Sequence, residues 1–184
     1  MSADNPWTTV TSREVYRNPW MRIREDEVIR PDGTPGIYGV VETHLAVGVV
    51  AVTGDAEIVL AGQYRYTTGS YSWEIVEGGV DPAEDPLTAG RRELEEEAGL
   101  VAATWRPLGG EIHLSNSITA ERAYLYLAEH LTGTTSRPEG TEVLQIRTAP
   151  LAECLRMIDG GEVQDALTIM GLLMYDRMQR EHGG

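Results

Sequence analysis

Hydrophobic and polar positions alternate in short runs between residues 7 and 42, with turn residues at Asn18-Pro19 and Pro31-Asp32-Gly33. A period of two puts successive side chains on opposite faces of a strand. The stretch therefore reads as an antiparallel β-meander of about three strands. A meander of that size is too small to stand alone and should pack on the rest of the chain or on a partner. The pattern then changes. "HLAVGVVA", from His44 to Ala51, is an unbroken apolar run and reads as a buried strand. "AEIVLAGQYR" follows the Thr53-Gly54-Asp55 turn as a second strand, and "SWEIVE" as a third that runs into Gly78-Gly79. A helix is expected over residues 86 to 98, with Pro86 in its first turn and Gly99 at its C-cap. "TWRPLGGEIHL" and "RAYLYLAEHL" read as two further strands, "TSRPEGTE" as a polar loop and "VLQIRTAP" as a last strand. "LAECLRMIDGG" and "VQDALTIMGLLMYDRMQRE" close the chain as helices. In the second, Leu167, Met170, Leu173 and Met174 form an apolar stripe expected to face the core.

Composition narrows the possibilities. At 184 residues and 41% hydrophobic, the chain can build one domain with a substantial core, and a small appendage besides. No apolar run is long enough to span a bilayer, and the first residues have neither the basic start nor the apolar centre of a secretion signal. Cys154 is the only cysteine, expected as a buried apolar residue, so no internal disulfide is possible and a reducing cytoplasm is expected. The net charge of −14 argues against a general binder of nucleic acid or anionic membrane, which needs a basic patch. Every cationic side chain among the 15 is arginine, so a phosphate clamp here must use Arg, His or backbone N–H groups.

The segment "GGVDPAEDPLTAGRRELEEEAGL" raises the chemical question. On a helix, Glu93, Glu96 and Glu97 stand at i, i+3 and i+4 and share one face, while Leu94 turns to the core. Three carboxylates on one face repel each other unless a cation lies among them. An all-oxygen set without His or Cys suits Mg²⁺ or Mn²⁺ rather than structural zinc. A solvated, charged helix face is the alternative for "RRELEEE" alone. The preceding spacing argues against it. Gly78 is followed after five residues by Glu84, after seven more by Arg92-Glu93-Leu94, then by Glu96-Glu97 and Gly99-Leu100. A chance match to so many fixed positions is on the order of one in 10⁸ at a given start.

These positions are the signature of the Nudix hydrolases, which the chain resembles over nearly its whole length. The resemblance implies an α/β fold, an α/β/α sandwich around a mixed sheet, with the N-terminal antiparallel meander added. It implies an enzyme that hydrolyses a nucleoside diphosphate linked to another moiety with divalent metal, Mg²⁺ or else Mn²⁺. Glu93, Glu96 and Glu97 would hold the metal together with the backbone carbonyl of Glu77. Arg92 would orient the glutamates by ion pairing, and Glu84 would support the loop.

"AGQYRYTTGSYSWEIVEGGVDP" resembles the branch that acts on ADP-ribose and nucleotide sugars, through Gln63, Arg65, Trp73 and Glu74. In that branch residues 1–43 would form a dimerisation meander, exchanged between the subunits of a homodimer, and residues 44–184 the hydrolase domain. Arg65 and Gln63 would then contact substrate, and Tyr38 would stack on a base from the partner subunit. A surface ion pair for Arg65 and ordinary packing for Tyr38 are the alternatives. After the box, ADP-ribose hydrolases carry a Ser-Pro-Gly type stretch, whereas this chain has Ser115-Asn116-Ser117. That departure points toward nucleotide sugars such as GDP-mannose, with Ser115, Asn116 and Glu121 as lining candidates and a plain turn as the equal alternative. A strict ADP-ribose diphosphatase, and a non-catalytic sensor of nucleotide sugars, are the rival readings. The resemblance also implies a glutamate general base in the loop before the last strand. Glu139 and Glu142 are the candidates, with Glu142, at the junction of loop and strand, taken first.

Overall fold

The computed structural model describes residues 4–135 and 143–182, and these group into two compact units. One comprises the N-terminal residues through His44 together with His113–Arg122; the other comprises Leu45–Ile112 and the residues from Ala123 onward. The candidate general bases Glu139 and Glu142 lie outside the described residues.

In the first unit, β1 (Thr8–Arg17), β2 (Met21–Ile29) and β3 (Pro35–Thr43) form an antiparallel sheet in sequence order. The turn residues identified in the sequence close both hairpins. Asn18 Oδ1 accepts the N–H groups of Trp20 and Met21, and Asp32 Oδ1 accepts the N–H and hydroxyl of Thr34. Gly33 takes a φ of +84° at the second turn. The segment Ser115–Thr119 makes its own turn and meets β3, with Val41 N–H bonded to Ile118 O and Ala120 N–H to Val41 O.

The second unit is built on the buried run at Ala46–Ala51, which is β4. β5 (Glu57–Arg65), β6 (Ser70–Glu74), β7 (Val76–Gly79), β8 (Leu100–Pro107), β9 (Ile112–His113), β10 (Arg122–Gly133) and β11 (Gln145–Pro150) follow. The helices are α1 (Pro86–Ala98), α2 (Leu151–Asp159) and α3 (Ala166–His182). The larger sheet runs β7-β4-β10-β8, with β9 also paired to β10; it is mixed, because β4 and β10 are parallel while β4 and β7, and β10 and β8, are antiparallel. A smaller antiparallel sheet runs β11-β5-β6.

Helices cover both faces of β4. Gly90 of α1 lies against Val47 and Val49, and Gly171 of α3 lies against Val50, Ile75 and Leu125. Side chains alternate along a strand, so odd positions of β4 meet α1 and even positions meet α3. This is the expected α/β/α sandwich with its N-terminal meander. The core on the α1 side joins Val49, Ala51, Val59, Val76, Leu94 and Ala128. Cys154 is buried as expected, and burial pushes its thiol up to about 11.

Three expectations differ from the structure. "SWEIVE" is not one strand: it breaks at Ile75, where the chain leaves the smaller sheet as β6 and enters the larger one as β7. "TWRPLGGEIHL" divides into β8, which begins earlier at Leu100, and β9. On α3 the buried positions are Leu167, Thr168, Gly171, Leu172 and Tyr175, whereas Leu173 and Met174 are exposed. The small residues Gly171 and Thr168 allow close approach to the sheet, and they rotate the core-facing stripe away from the larger methionine and leucine.

Leu94 is completely buried in the core between α1 and the sheet. Leu94→Ala should cost about 2–5 kcal/mol, through lost transfer energy and the cavity left behind. Urea denaturation would register this as a lower midpoint at an unchanged m-value.

Candidate active site

The approach to α1 is a self-capped loop. Asp85 is the N-cap and its carboxylate accepts the N–H of Thr88 at 3.1 Å. Pro86 occupies the first turn, where its missing N–H costs nothing. Glu84 Oε2 accepts the N–H of Asp81 at 3.1 Å, and the Glu84 N–H donates to Asp81 O at 2.9 Å. Gly99 ends the helix in the left-handed conformation at φ 64°. These caps fix the helix that presents the glutamates.

Arg92 is the hub. Its Nη1 donates to Glu93 Oε1 at 2.7 Å and to Glu96 Oε2 at 3.1 Å. Its Nη2 donates to Glu84 Oε2 at 3.1 Å and to the carbonyl of Gly79 at 2.9 Å, and its Nε reaches Glu84 Oε1 at 3.3 Å. One guanidinium therefore ties loop, strand and helix together. The arrangement raises the Arg92 pKa still further, chiefly through the hydrogen bond with Glu84, and lowers that of Glu84 from its ordinary value. Glu97 lies on the same helix and is only 3% exposed.

Gly78 shows how closely strand and helix meet. A Cβ built there would lie 2.0 Å from the Glu93 carboxyl, so the absent side chain is the space the carboxylate occupies. Among the described residues no three His, Cys, Asp or Glu side chains stand gathered as a finished metal cage. The donor set nevertheless fits a hard divalent cation. It is all oxygen, and the carboxylates of Glu93 and Glu96 already converge on positive charge, that of Arg92. The cradle at Gly78 leaves room for Glu93 to present that charge against the strand.

Behind β7 lies a second acidic group. Glu77 Oε1 accepts the hydroxyl of Thr168 at 2.8 Å. Burial, and next the neighbouring Asp165 carboxylate, hold the Glu77 carboxyl well above the ordinary carboxylate range. Arg65 pairs with the buried Glu74, its Nε lying 3.0 Å from both carboxylate oxygens. The ion pair weighed as the alternative for Arg65 is thus present, and it holds Arg65 beside β6. Gln63 stands opposite Ser72 in the β5–β6 register. In the other unit, Tyr38 donates its hydroxyl to Ser117 O at 2.9 Å and meets Trp7 edge to face at 5.6 Å. Asn116 is exposed next to that carbonyl. The structure thus brings Arg92, Glu93, Glu96 and Gly78 together, and separately brings Tyr38 beside the turn that carries Asn116. Sequence reading missed the roles of Asp165 and Thr168, which lie far from the glutamate segment in the chain.

Comparison with known proteins accords with this geometry. Residues 42–168 match the model of the NUDIX domain, and residues 7–41 match that of the nucleoside diphosphate sugar hydrolase N-terminal domain. The chain is 34% identical over 176 residues to an ADP-ribose pyrophosphatase of Mycobacterium tuberculosis, covering 93% of this chain and 84% of that one. It is 26% identical to an ADP-ribose pyrophosphatase of Bacillus subtilis, covering 87% of each chain. The crystal structure of an ADP compounds hydrolase superposes with a TM-score of 0.88 over 100% of this chain and 99% of that chain, at 21% identity, which shows the shared fold. The chain belongs to the Nudix hydrolases, in the branch of ADP-ribose and nucleoside diphosphate sugar enzymes.

Gly78→Ala tests the cradle. The clash falls on the far end of a flexible side chain, so the melting temperature should stay within a few degrees of the parent. The Glu93 carboxyl must swing out, and Mn²⁺ affinity measured by titration calorimetry should fall about tenfold or more. Unchanged affinity would show that Glu93 does not need this place.

Proposed function

We propose that this Nudix enzyme cleaves the pyrophosphate of a nucleoside diphosphate joined to a sugar. The substrate is an NDP-sugar such as GDP-mannose, or ADP-ribose, and Mg²⁺ is the working metal with Mn²⁺ as a substitute. Water adds to one phosphorus, the bridging P–O bond breaks, and the products are a nucleoside monophosphate and a sugar phosphate. The observation that carries the reading is the single guanidinium of Arg92, holding Glu84, Glu93 and Glu96 beside the Gly78 cradle. The names of the related ADP-ribose pyrophosphatases support the substrate class.

Glu93, Glu96, Glu97 and the carbonyl of Glu77 would hold the metal. When bound, it neutralises the diphosphate and acidifies a coordinated water. Arg92 acts before any chemistry, by fixing which way Glu93 and Glu96 point. Arg65 is taken to meet the substrate phosphates while its Nε keeps the Glu74 pairing, with Gln63 beside it. Tyr38 is assigned to stack on a base from the partner subunit, and Asn116 to line the substrate site. Glu142, or failing it Glu139, takes the proton of the attacking water. Residues 1–43 are assigned to homodimerisation by exchange between subunits. The single cysteine fits a cytoplasmic enzyme. No helix among the described residues is long and apolar enough to cross a membrane.

A panel of nucleotide sugars and ADP-ribose, assayed with Mg²⁺ and a coupled phosphatase that releases phosphate from the monoester products, tests the reading. Turnover is expected on at least one member and should vanish in Glu97→Gln. The ranking decides between nucleotide sugars and a strict ADP-ribose diphosphatase. Tight binding without turnover across the whole panel would instead make the protein a nucleotide-sugar sensor.

Glu142→Gln should lower kcat by about 10²–10⁴-fold with KM little changed, as removal of a general base predicts. Parent-like kcat in that variant moves the assignment to Glu139.

A further inference from the structure

Thr168 is completely buried on α3, and its polar atoms are all committed. Its N–H donates to Asp165 Oδ2 at 2.7 Å, which starts the helix. Its hydroxyl accepts the N–H of Ile75 at 3.1 Å and donates to Glu77 Oε1 at 2.8 Å. Ile75 is the residue at which the chain changes sheets, and Glu77 comes two positions later. One hydroxyl therefore grips the backbone on one side of Val76 and the side chain on the other. The next residue is Gly78, against which the Glu93 carboxyl packs. Strand alternation puts Glu77 and Gly78 on opposite faces of β7. The grip from α3 thus sets the depth and twist of β7 on the face that Glu93 meets.

We propose that Thr168 is a positioning residue for the glutamate site. It acts through Ile75 and the Glu77 side chain on the place of β7, and so on the metal affinity of a site whose α1 carboxylates it does not bond. The proposal rests on the metal-site reading of Glu93, Glu96 and Glu97 given above. A lost hydroxyl leaves the Ile75 N–H buried without its acceptor, and the strand shifts to relieve that cost. Outer partners of this kind change metal affinity by about 10–100-fold.

The test uses the full-length protein and Mn²⁺ alone as the probe, with binding read by titration calorimetry. Thr168→Val keeps the shape and removes the hydroxyl; Thr168→Ser keeps the hydroxyl and removes a methyl. The Mn²⁺ dissociation constant is expected to rise about tenfold in Thr168→Val and to stay within threefold of the parent in Thr168→Ser. Parent-like affinity in a folded Thr168→Val would overturn the proposal. So would a tenfold loss in Thr168→Ser, because packing and not the hydroxyl would then be responsible. Should Thr168→Val fail to fold, the Thr168→Ser result still decides. A parent protein that binds no Mn²⁺ would instead overturn the metal-site reading itself, which separates the two failures.

Discussion

The constraint on which the site depends is an imbalance of charge. Glu84, Glu93 and Glu96 all converge on one guanidinium, so three carboxylates share a single positive charge. Glu97 lies buried on the same helix. Carboxylates this close repel one another strongly when partly removed from water. Arginine answers part of this because its fork supplies several fixed donors, whereas an ammonium would act as one point. On the function proposed above, this negative charge is what a divalent cation would neutralise. Everything that shapes α1, from the Asp85 cap to the Gly99 stop, serves to hold that unstable arrangement in one place.

Glycines determine how near the layers come. Gly90 brings α1 against Val47 and Val49, Gly171 brings α3 against Val50 and Ile75, and Gly78 admits the Glu93 carboxyl. The first two set layer spacing, while the third opens a place for a functional group. A methyl at Gly90 would meet carbons at 3.3 Å, whereas one at Gly78 would fall 2.0 Å from a carboxylate. The tighter fit lies at the chemistry.

The legibility of the sequence followed the range of the forces involved. The helix at Pro86–Ala98 and its glutamate face could be read because caps, proline, glycine and i, i+3, i+4 spacing all act within one turn or two. The break at Ile75 could not, because the lapse in alternation at Ile75-Val76 is also what a strand buried on both faces shows. What ends the strand there includes a hydroxyl 93 positions further along the chain. The α3 stripe was misjudged for a related reason. Burial there goes to Gly171 and Thr168, which are small enough to approach the sheet, as well as to Leu167, Leu172 and Tyr175, while Leu173 and Met174 face out. A hydropathy pattern ranks residues by size and apolarity, and it cannot see that close approach favours the small ones. For Arg65 the sequence leaves a substrate contact and a surface ion pair as alternatives. Only coordinates reveal that Glu74, among the most buried charges, already holds it.

β7 is where these themes meet. It is four residues long, and its alternate positions address different layers. Gly78 faces α1 and makes room for Glu93, while Glu77 faces α3 and takes the Thr168 hydroxyl. Gly79 adds its carbonyl to Arg92. A strand so short has little cross-strand pairing of its own to resist sliding. Its pairing with β4 is supplemented by the bonds that reach Glu77 from Thr168 on α3 and Gly79 from Arg92 on α1. The glutamate cluster is therefore referenced to the whole sandwich rather than to α1 alone, and rigid support of this kind is what a site of concentrated like charge requires.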